Sequence, residues 1–276
     1  MQSLDESQTE RRTRTRREER TRSQARGEGF RASRNAQRSY EARLRRYARQ
    51  IADIIRAFEE NGIVPPERQP ALIHALLLYK QASQPWAAGV AGRLIAEVDR
   101  RDLAAWQQYT AGMSAALRAE LVRAPTGEAM RMLLATQVDL ITSLPPDAGR
   151  RVHELTLQAL ERGSRYPDLK AEIAEALERA YPDTTEAWLL NRATLIARTE
   201  TARTASVLTQ ARAEHVGAEE YVWRTAGDAR VRPSHKRLNG TVHRWDEPPL
   251  SDPPDHHSHP GQIWNCRCVA LPILPE

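Results

Sequence analysis

From Tyr40 onward the apolar positions recur every three or four residues. Leu44, Tyr47, Ile51, Ile54, Ile55 and Phe58 share one face of a helix, which Asn61-Gly62 and then Pro65-Pro66 close off. The same spacing, punctuated by prolines, predicts helices from Pro70 to about Gln81, Pro85 to about Arg100, Asp102 to Arg123, Thr126 to Leu144, Asp147 to Arg162 and Tyr166 to Ala180. Pro125, Pro145-Pro146 and Pro182 separate neighbours. Within the fourth of these, Met130, Leu133, Leu134, Val138 and Ile141 form a stripe that reads as a core face rather than a cofactor site. A longer helix follows from Thr184 or Thr185, which can serve as N-cap. It runs through Trp188, Leu195, Ile196, Thr199, Ala202, Val207, Leu208 and Ala211 to about His215. No fixed-period repeat interrupts this series, so a solenoid is not expected.

Beyond Gly217 the helical period stops. About half of the prolines, five of the eight histidines, both cysteines and three of the six tryptophans fall between Gly217 and Glu276. Short runs of strand type replace the helices: Tyr221 to Thr225, Thr241 to His243 and Cys268 to Leu271. Asn239-Gly240 is a tight-turn signal that places Thr241 to Trp245 on a returning strand. The pattern therefore predicts a mainly α protein, a multi-helix N-terminal body followed by a small C-terminal α+β domain. The expected divisions are a basic arm over 1–39, a helical domain over 40–183 and the α+β domain over 184–276.

Composition agrees. Apolar residues make up 40% of the chain but aromatics only 5%, so the core must be built from Ala, Leu, Ile and Val, as in packed helices. No apolar run approaches the ~18 residues that span a bilayer, and Met1 to Glu10 lacks the apolar stretch of a secretory signal; the expectation is a cytosolic, non-membrane protein. Cys266 and Cys268 cannot form a disulfide framework and read as a reduced pair. The net charge of +5 is unevenly spread. Arg11, Arg12, Arg14, Arg16, Arg17, Arg20 and Arg22 stand almost without apolar company. Such a stretch buries too little surface to offset its ordering entropy. It is either a solubilising tail or a phosphate-contacting arm. Without interleaved aromatics, any DNA binding through it would be non-specific and salt-sensitive.

Several features of the last eighty or so residues fall in a fixed order. A helix contains Arg198-Thr199-Glu200-Thr201-Ala202-Arg203. A strand ends at Trp223-Arg224-Thr225, and Asp228-Ala229-Arg230-Val231-Arg232-Pro233-Ser234-His235 follows. Leu238-Asn239-Gly240, a proline-rich loop, Pro260-Gly261 and Asn265-Cys266-Arg267-Cys268 complete the series. In this order the set, from about Thr185 to Pro272, resembles the C-terminal domain of the Mu F-like phage head morphogenesis proteins, with looser similarity from about Gly127. The resemblance implies a minor, portal-associated protein of the procapsid or virion interior, made in the host cytoplasm. It would act in head assembly and in DNA packaging or delivery. The implied partners are the portal protein, scaffold or major capsid protein, and packaged DNA met through the basic arm.

Many members of that family carry Cys-Pro-x-Cys where this chain has Arg232-Pro233-Ser234-His235, so a four-thiolate zinc site is excluded here. His235 takes the place of the second missing cysteine, and a neutral imidazole is a competent zinc ligand. One structural zinc could then be held by His235, Cys266 and Cys268, with a fourth ligand from His243, His256, His257 or His259. The alternative is that Ser234 and His235 form a hydrogen-bonded core in place of a metal. The His256-His257-Ser258-His259 cluster, set among prolines, is expected on an exposed loop. Asp228 and Arg230 are expected to fix a turn, and Arg198 and Glu200, one turn of helix from Arg203, to form an internal ion pair between helix and sheet. No catalytic residue is expected. The competing readings are a zinc hydrolase or nuclease with Glu200 or Asp228 as base, and a non-specific DNA-binding protein. No Gly-rich phosphate loop, His-Glu-x-x-His or nucleophile-elbow pattern supports an enzyme.

Overall fold

The computed structural model describes residues 29–60, 63–165, 185–252 and 254–275. Arg11, Arg12, Arg14, Arg16, Arg17, the turn Asn61-Gly62, the helix expected from Tyr166 to Ala180, Pro182 and Thr184 lie outside them. The described protein is mainly α, and its named strands all follow the last long helix. Among the described residues six longer helices come first: α1 (Arg34–Arg56), α2 (Gln69–Tyr109), α3 (Ala115–Arg123), α4 (Gly127–Thr142), α5 (Leu144–Arg165) and α6 (Thr185–His215). The C-terminal elements are β1 (Glu220–Arg224), the short α7 (Pro233–Leu238), β2 (Val242–Arg244), β3 (Leu250–Asp252), β4 (His256–His257) and β5 (Val269–Ile273). No helix among the described residues is long and apolar enough to cross a membrane.

Helix boundaries differ from the proline-delimited expectation in two regions. Three expected segments from Pro70, Pro85 and Asp102 are replaced by α2, a 41-residue helix with Pro85 in its interior, and by the short α3. Proline removes one backbone hydrogen bond, but Leu72, Leu76, Ala87, Val90, Ala91 and Leu94 bury apolar surface on both sides of it and favour continuation. The break falls instead after Tyr109. There the Thr110 hydroxyl donates back to the Trp106 carbonyl (2.8 Å), and Ser114 caps α3 by accepting from the Leu117 amide (3.2 Å). Pro145-Pro146 likewise opens α5 instead of lying between helices, because a first turn has no intrahelical use for the missing N–H.

Two compact units divide the chain. One comprises Arg34–Ile95 and Arg131–Glu200, and its described residues are helical apart from the connections. Its centre is the expected face of α1, where Tyr40, Leu44, Tyr47, Ile51 and Ile55 are buried along with Ala36, Ala48 and Ala52. The two tyrosines carry their hydroxyls inward with partners. Tyr40 donates to Gln137 (3.3 Å), and Tyr47 shares a hydrogen bond with Ser83 (2.7 Å) while stacking on Tyr79 and Trp86.

The other unit takes in Ala96–Met130 and Thr201–Glu276 with the described residues up to Ser33. Its sheet has the order β2-β1-β5, antiparallel throughout, and β3 and β4 form a separate ribbon. Along β1 the inward positions alternate: Tyr221 and Trp223 are buried and their neighbours are not, the period of a half-buried strand. They meet Phe30, Trp106, Leu121, Trp245, Ile263 and Leu271 in one core. Within this unit Arg212 of α6 is 4% exposed. It binds the 3%-exposed Asp102 of α2 (2.7 Å) and Asp99 (2.6 Å), and Thr209 donates to the same Asp102 carboxylate (2.5 Å).

Candidate metal centre and the loops that frame it

After β1 the chain turns through Gly227, which has a positive φ of 77°, and Asp228, whose side chain accepts from the Arg230 amide (3.0 Å) in the expected turn. Arg267 reaches the same carboxylate with two guanidinium bonds of 2.6 and 2.7 Å, a partner that sequence reading missed. These bonds hold the Asp228 carboxyl down at about 2. Pro233 then starts α7, a position that suits its fixed φ, and Ser234 and His235 are buried behind it. At the far end of α7, Asn239 accepts from the Thr225 amide (3.0 Å) and hydroxyl (3.2 Å), and the Gly240 amide donates to the Trp223 carbonyl (2.8 Å). Gly240 has a φ of 87°, and the chain returns as β2 alongside β1, as the turn signal required.

The second half of the site comes from the segment before β5. Gly261, at φ 88°, sits so close to α6 that a Cβ there would lie 3.2 Å from the Ala202 carbonyl oxygen and 3.3 Å from that of Cys268. Its amide donates to the Cys266 sulfur (3.3 Å). Arg203 of α6 donates to the Gln262 carbonyl (3.0 and 3.2 Å) with its guanidinium over the Trp264 ring, and Arg232 donates to the Trp264 carbonyl (2.8 Å). Asn265 adopts a positive φ of 57°, which asparagine tolerates, and so redirects the chain for Cys266 and Cys268.

His235, Cys266 and Cys268 therefore converge, all three buried, with their ligand atoms within 4.8 Å of one another. His235 Nδ1 lies 3.6 Å from the Cys266 sulfur and 3.5 Å from that of Cys268. Zinc–nitrogen bonds of about 2.05 Å and zinc–sulfur bonds of about 2.3 Å at the tetrahedral angle require a nitrogen–sulfur separation of about 3.6 Å. The two nitrogen–sulfur separations thus fit a tetrahedral metal ion. The Trp223 ring packs edge-on against His235, with centroids 5.3 Å apart. A hydrogen bond from Cys268, helped by His235, draws the Cys266 thiol down, whereas that same bond and burial push Cys268 up. A thiolate is the form that binds a metal.

The remaining expected residues are not in this trio. His243 places Nε2 against the Thr241 hydroxyl (2.6 Å), and His257 Nδ1 meets the Pro248 carbonyl (2.8 Å). His256 is exposed on β4. His259 departs from the exposed-loop expectation: it is 6% exposed, and Nδ1 bonds the Tyr221 hydroxyl (3.0 Å) inside the aromatic core. Arg198 is exposed while Glu200, two residues on, is fully buried, so the two face different surroundings on α6.

A small α+β fold closed by a buried His-Cys-Cys cluster is the class of domain this geometry defines. Comparison with known proteins places it further. The family described as Phage Mu protein F like protein matches residues 150–271, so this part of the chain is similar to that family. A protein of Haemophilus influenzae, described only as an uncharacterized protein, is 36% identical over 147 residues. That alignment covers 53% of this chain and 30% of the relative, so the chain spans under a third of the relative it matches. No solved structure matches the chain.

Proposed function

We propose that this chain is a minor protein of the phage head, associated with the portal vertex and acting in head morphogenesis and in DNA packaging or delivery. The match of residues 150–271 to the Mu F-like family carries the proposal. In this reading the His235–Cys266–Cys268 trio holds one structural zinc that ties α7 to the segment before β5. Such a tie would add to the stability that the unit's apolar core supplies. The partners are the portal protein and scaffold or major capsid protein, with packaged DNA met through the basic arm. The protein resides in the procapsid or virion and passes through the host cytoplasm during assembly.

The chain is read as non-catalytic. One observation favours a zinc hydrolase or nuclease instead: three protein ligands converge among the described residues, the number found in catalytic zinc sites. Against it, all three donors are buried, Glu200 is fully buried, and Asp228 is occupied by two bonds from Arg267. A general base needs a free lone pair within reach of a metal-bound water. The test is to isolate proheads and mature heads and quantify this chain against coat and portal protein by mass spectrometry. Presence at a few copies per head is expected; absence from both particles would contradict the proposal.

A further inference from the structure

Between Arg34 and Gln50 the outward positions of α1 include Arg34, Arg38, Arg43, Arg46 and Arg49, and every other exposed residue in that stretch is uncharged. The sole acid there, Glu41, is half-buried and accepts from the Thr194 hydroxyl (3.0 Å). None of the five arginines has an ion-pair partner among the described residues. Glu41 and Asp53 lie one turn from Arg38 and Arg49, but Glu41 accepts from Thr194 and Asp53 pairs with Arg56 instead. On other described helices several surface arginines do pair with an acid one turn away. Arg100 and Arg101 pair with Glu97, Arg123 with Glu120, and Arg150 with Asp147. Pairs at that spacing stabilise a helix slightly, and five like charges without them are a small cost. The outer face of α1 keeps that cost, which points to a partner that supplies the negative charge.

The face is long and broad: at about 100° per residue Arg38, Arg46 and Arg49 lie within about 80° of one another, and Arg34 and Arg43 stand at its two edges. Fifteen residues at about 1.5 Å per residue spread the charges over about 22 Å. Over that length duplex DNA presents one negative charge per about 1.7 Å. The chain uses arginine almost exclusively for positive charge, 38 against 3 lysines, and the planar guanidinium fits a phosphate with two parallel bonds. No exposed aromatic side chain lies on this face to stack on a base. We propose that the outer face of α1, through Arg34, Arg38, Arg43, Arg46 and Arg49, docks on the phosphate backbone of double-stranded DNA without reading its sequence. This goes beyond the head-protein reading and does not depend on Arg11 to Arg17, which lie outside the described residues.

The test measures binding of the full chain to a fluorescent random-sequence duplex across a salt series. The wild type is compared with Arg34→Gln/Arg38→Gln/Arg46→Gln/Arg49→Gln, with the same four positions changed to Lys, and with Arg11, Arg12, Arg14, Arg16 and Arg17 all changed to Gln. Removing one arginine–phosphate pairing lowers the slope of log affinity against log salt by about 0.9. The four-Gln chain should show a slope lower by about 3.6, so that over a fourfold rise in salt the wild type loses about a hundredfold more affinity. The Lys chain should keep the wild-type slope. Should the four-Gln chain lose helix content, Arg38→Gln/Arg49→Gln should still lower the slope by about 1.8. An unchanged slope in the Gln chains overturns the proposal. If only the Arg11 to Arg17 variant lowers it, the arm binds DNA and α1 does not. Equal affinity for a poly-glutamate chain overturns the assignment to nucleic acid.

Discussion

Removing the guanidinium from the buried Arg212 cluster should cost more stability than any exposed substitution in the chain. Arg212 and Asp102 are 4% and 3% exposed, and the bond between them is 2.7 Å. Arg212→Met keeps the aliphatic stem but leaves the Asp102 carboxylate buried without its guanidinium, with the Thr209 hydroxyl still donating to it. Breaking a buried pair from one side costs about 3–5 kcal/mol, because the remaining charge is uncompensated. Asp99, at 24% exposed, regains water and adds little. The double variant Arg212→Met/Asp102→Leu removes both charges and should recover most of the loss.

Acid should act in the same direction. Burial already holds the Asp102 carboxyl up at about 6 against the pull of Arg212, and without Arg212 it rises further. A raised carboxyl binds its proton more tightly in the folded state. The penalty is therefore full at neutral pH and shrinks as pH falls through the folded value toward the ordinary carboxyl range. Urea unfolding followed by tryptophan fluorescence reads this directly, since Trp106, Trp223 and Trp245 are buried in the same unit. A loss under about 1 kcal/mol for Arg212→Met, or a double variant no more stable than the single one, would refute the reasoning.

At Gly261 the positive φ and the two carbonyl oxygens near the Cβ position make Gly261→Ala destabilising by more than the ~1–2 kcal/mol of a left-handed alanine, measured by the same unfolding assay. For Asp228 the folded carboxyl lies below its ordinary value, so its contribution is present above the ordinary carboxyl range and is lost as pH falls toward about 2. The stability of the wild type and Asp228→Asn should accordingly differ at neutral pH and converge in strong acid, as read by thermal unfolding across pH. Tyr221→Phe removes the hydroxyl partner of the buried His259, and a lower melting temperature with unchanged metal content is expected from calorimetry paired with elemental analysis.

The helical faces were legible because burial follows local period. Tyr40, Leu44, Tyr47, Ile51 and Ile55 sit where the spacing puts them, and β1, β2 and β5 fall close to their expected bounds, whereas the ribbon of β3 and β4 lies where a proline-rich loop was expected. Prolines misled where their meaning depends on context: Pro85 lies inside a helix whose flanks are well buried, and Pro145-Pro146 begins one. The candidate site was legible in part. Asp228 and Arg230 form a local turn, and Asn239-Gly240 marks another, so short-range rules found them. His259 was not, because its sequence neighbours are polar and proline-rich while its burial comes from Tyr221, 38 residues away. The Asp228–Arg267 and Asp102–Arg212 bonds join residues 39 and 110 positions apart, and no period or spacing encodes such pairs. His235 was placed with the cysteines through the family resemblance rather than through any pattern in its own segment.

The reading of the C-terminal unit turns on whether His235, Cys266 and Cys268 close around a metal. The most direct measurement is zinc per chain by elemental analysis on purified full-length protein, with X-ray absorption at the zinc edge to count sulfur ligands. Cys266→Ser and His235→Ala are measured alongside. The account predicts one zinc per chain with two sulfur neighbours, lost in both variants together with the tertiary signal of the unit's tryptophans. A wild-type chain that folds fully and binds no zinc, or holds it equally well in both variants, contradicts the account and leaves a hydrogen-bonded His235 core in its place.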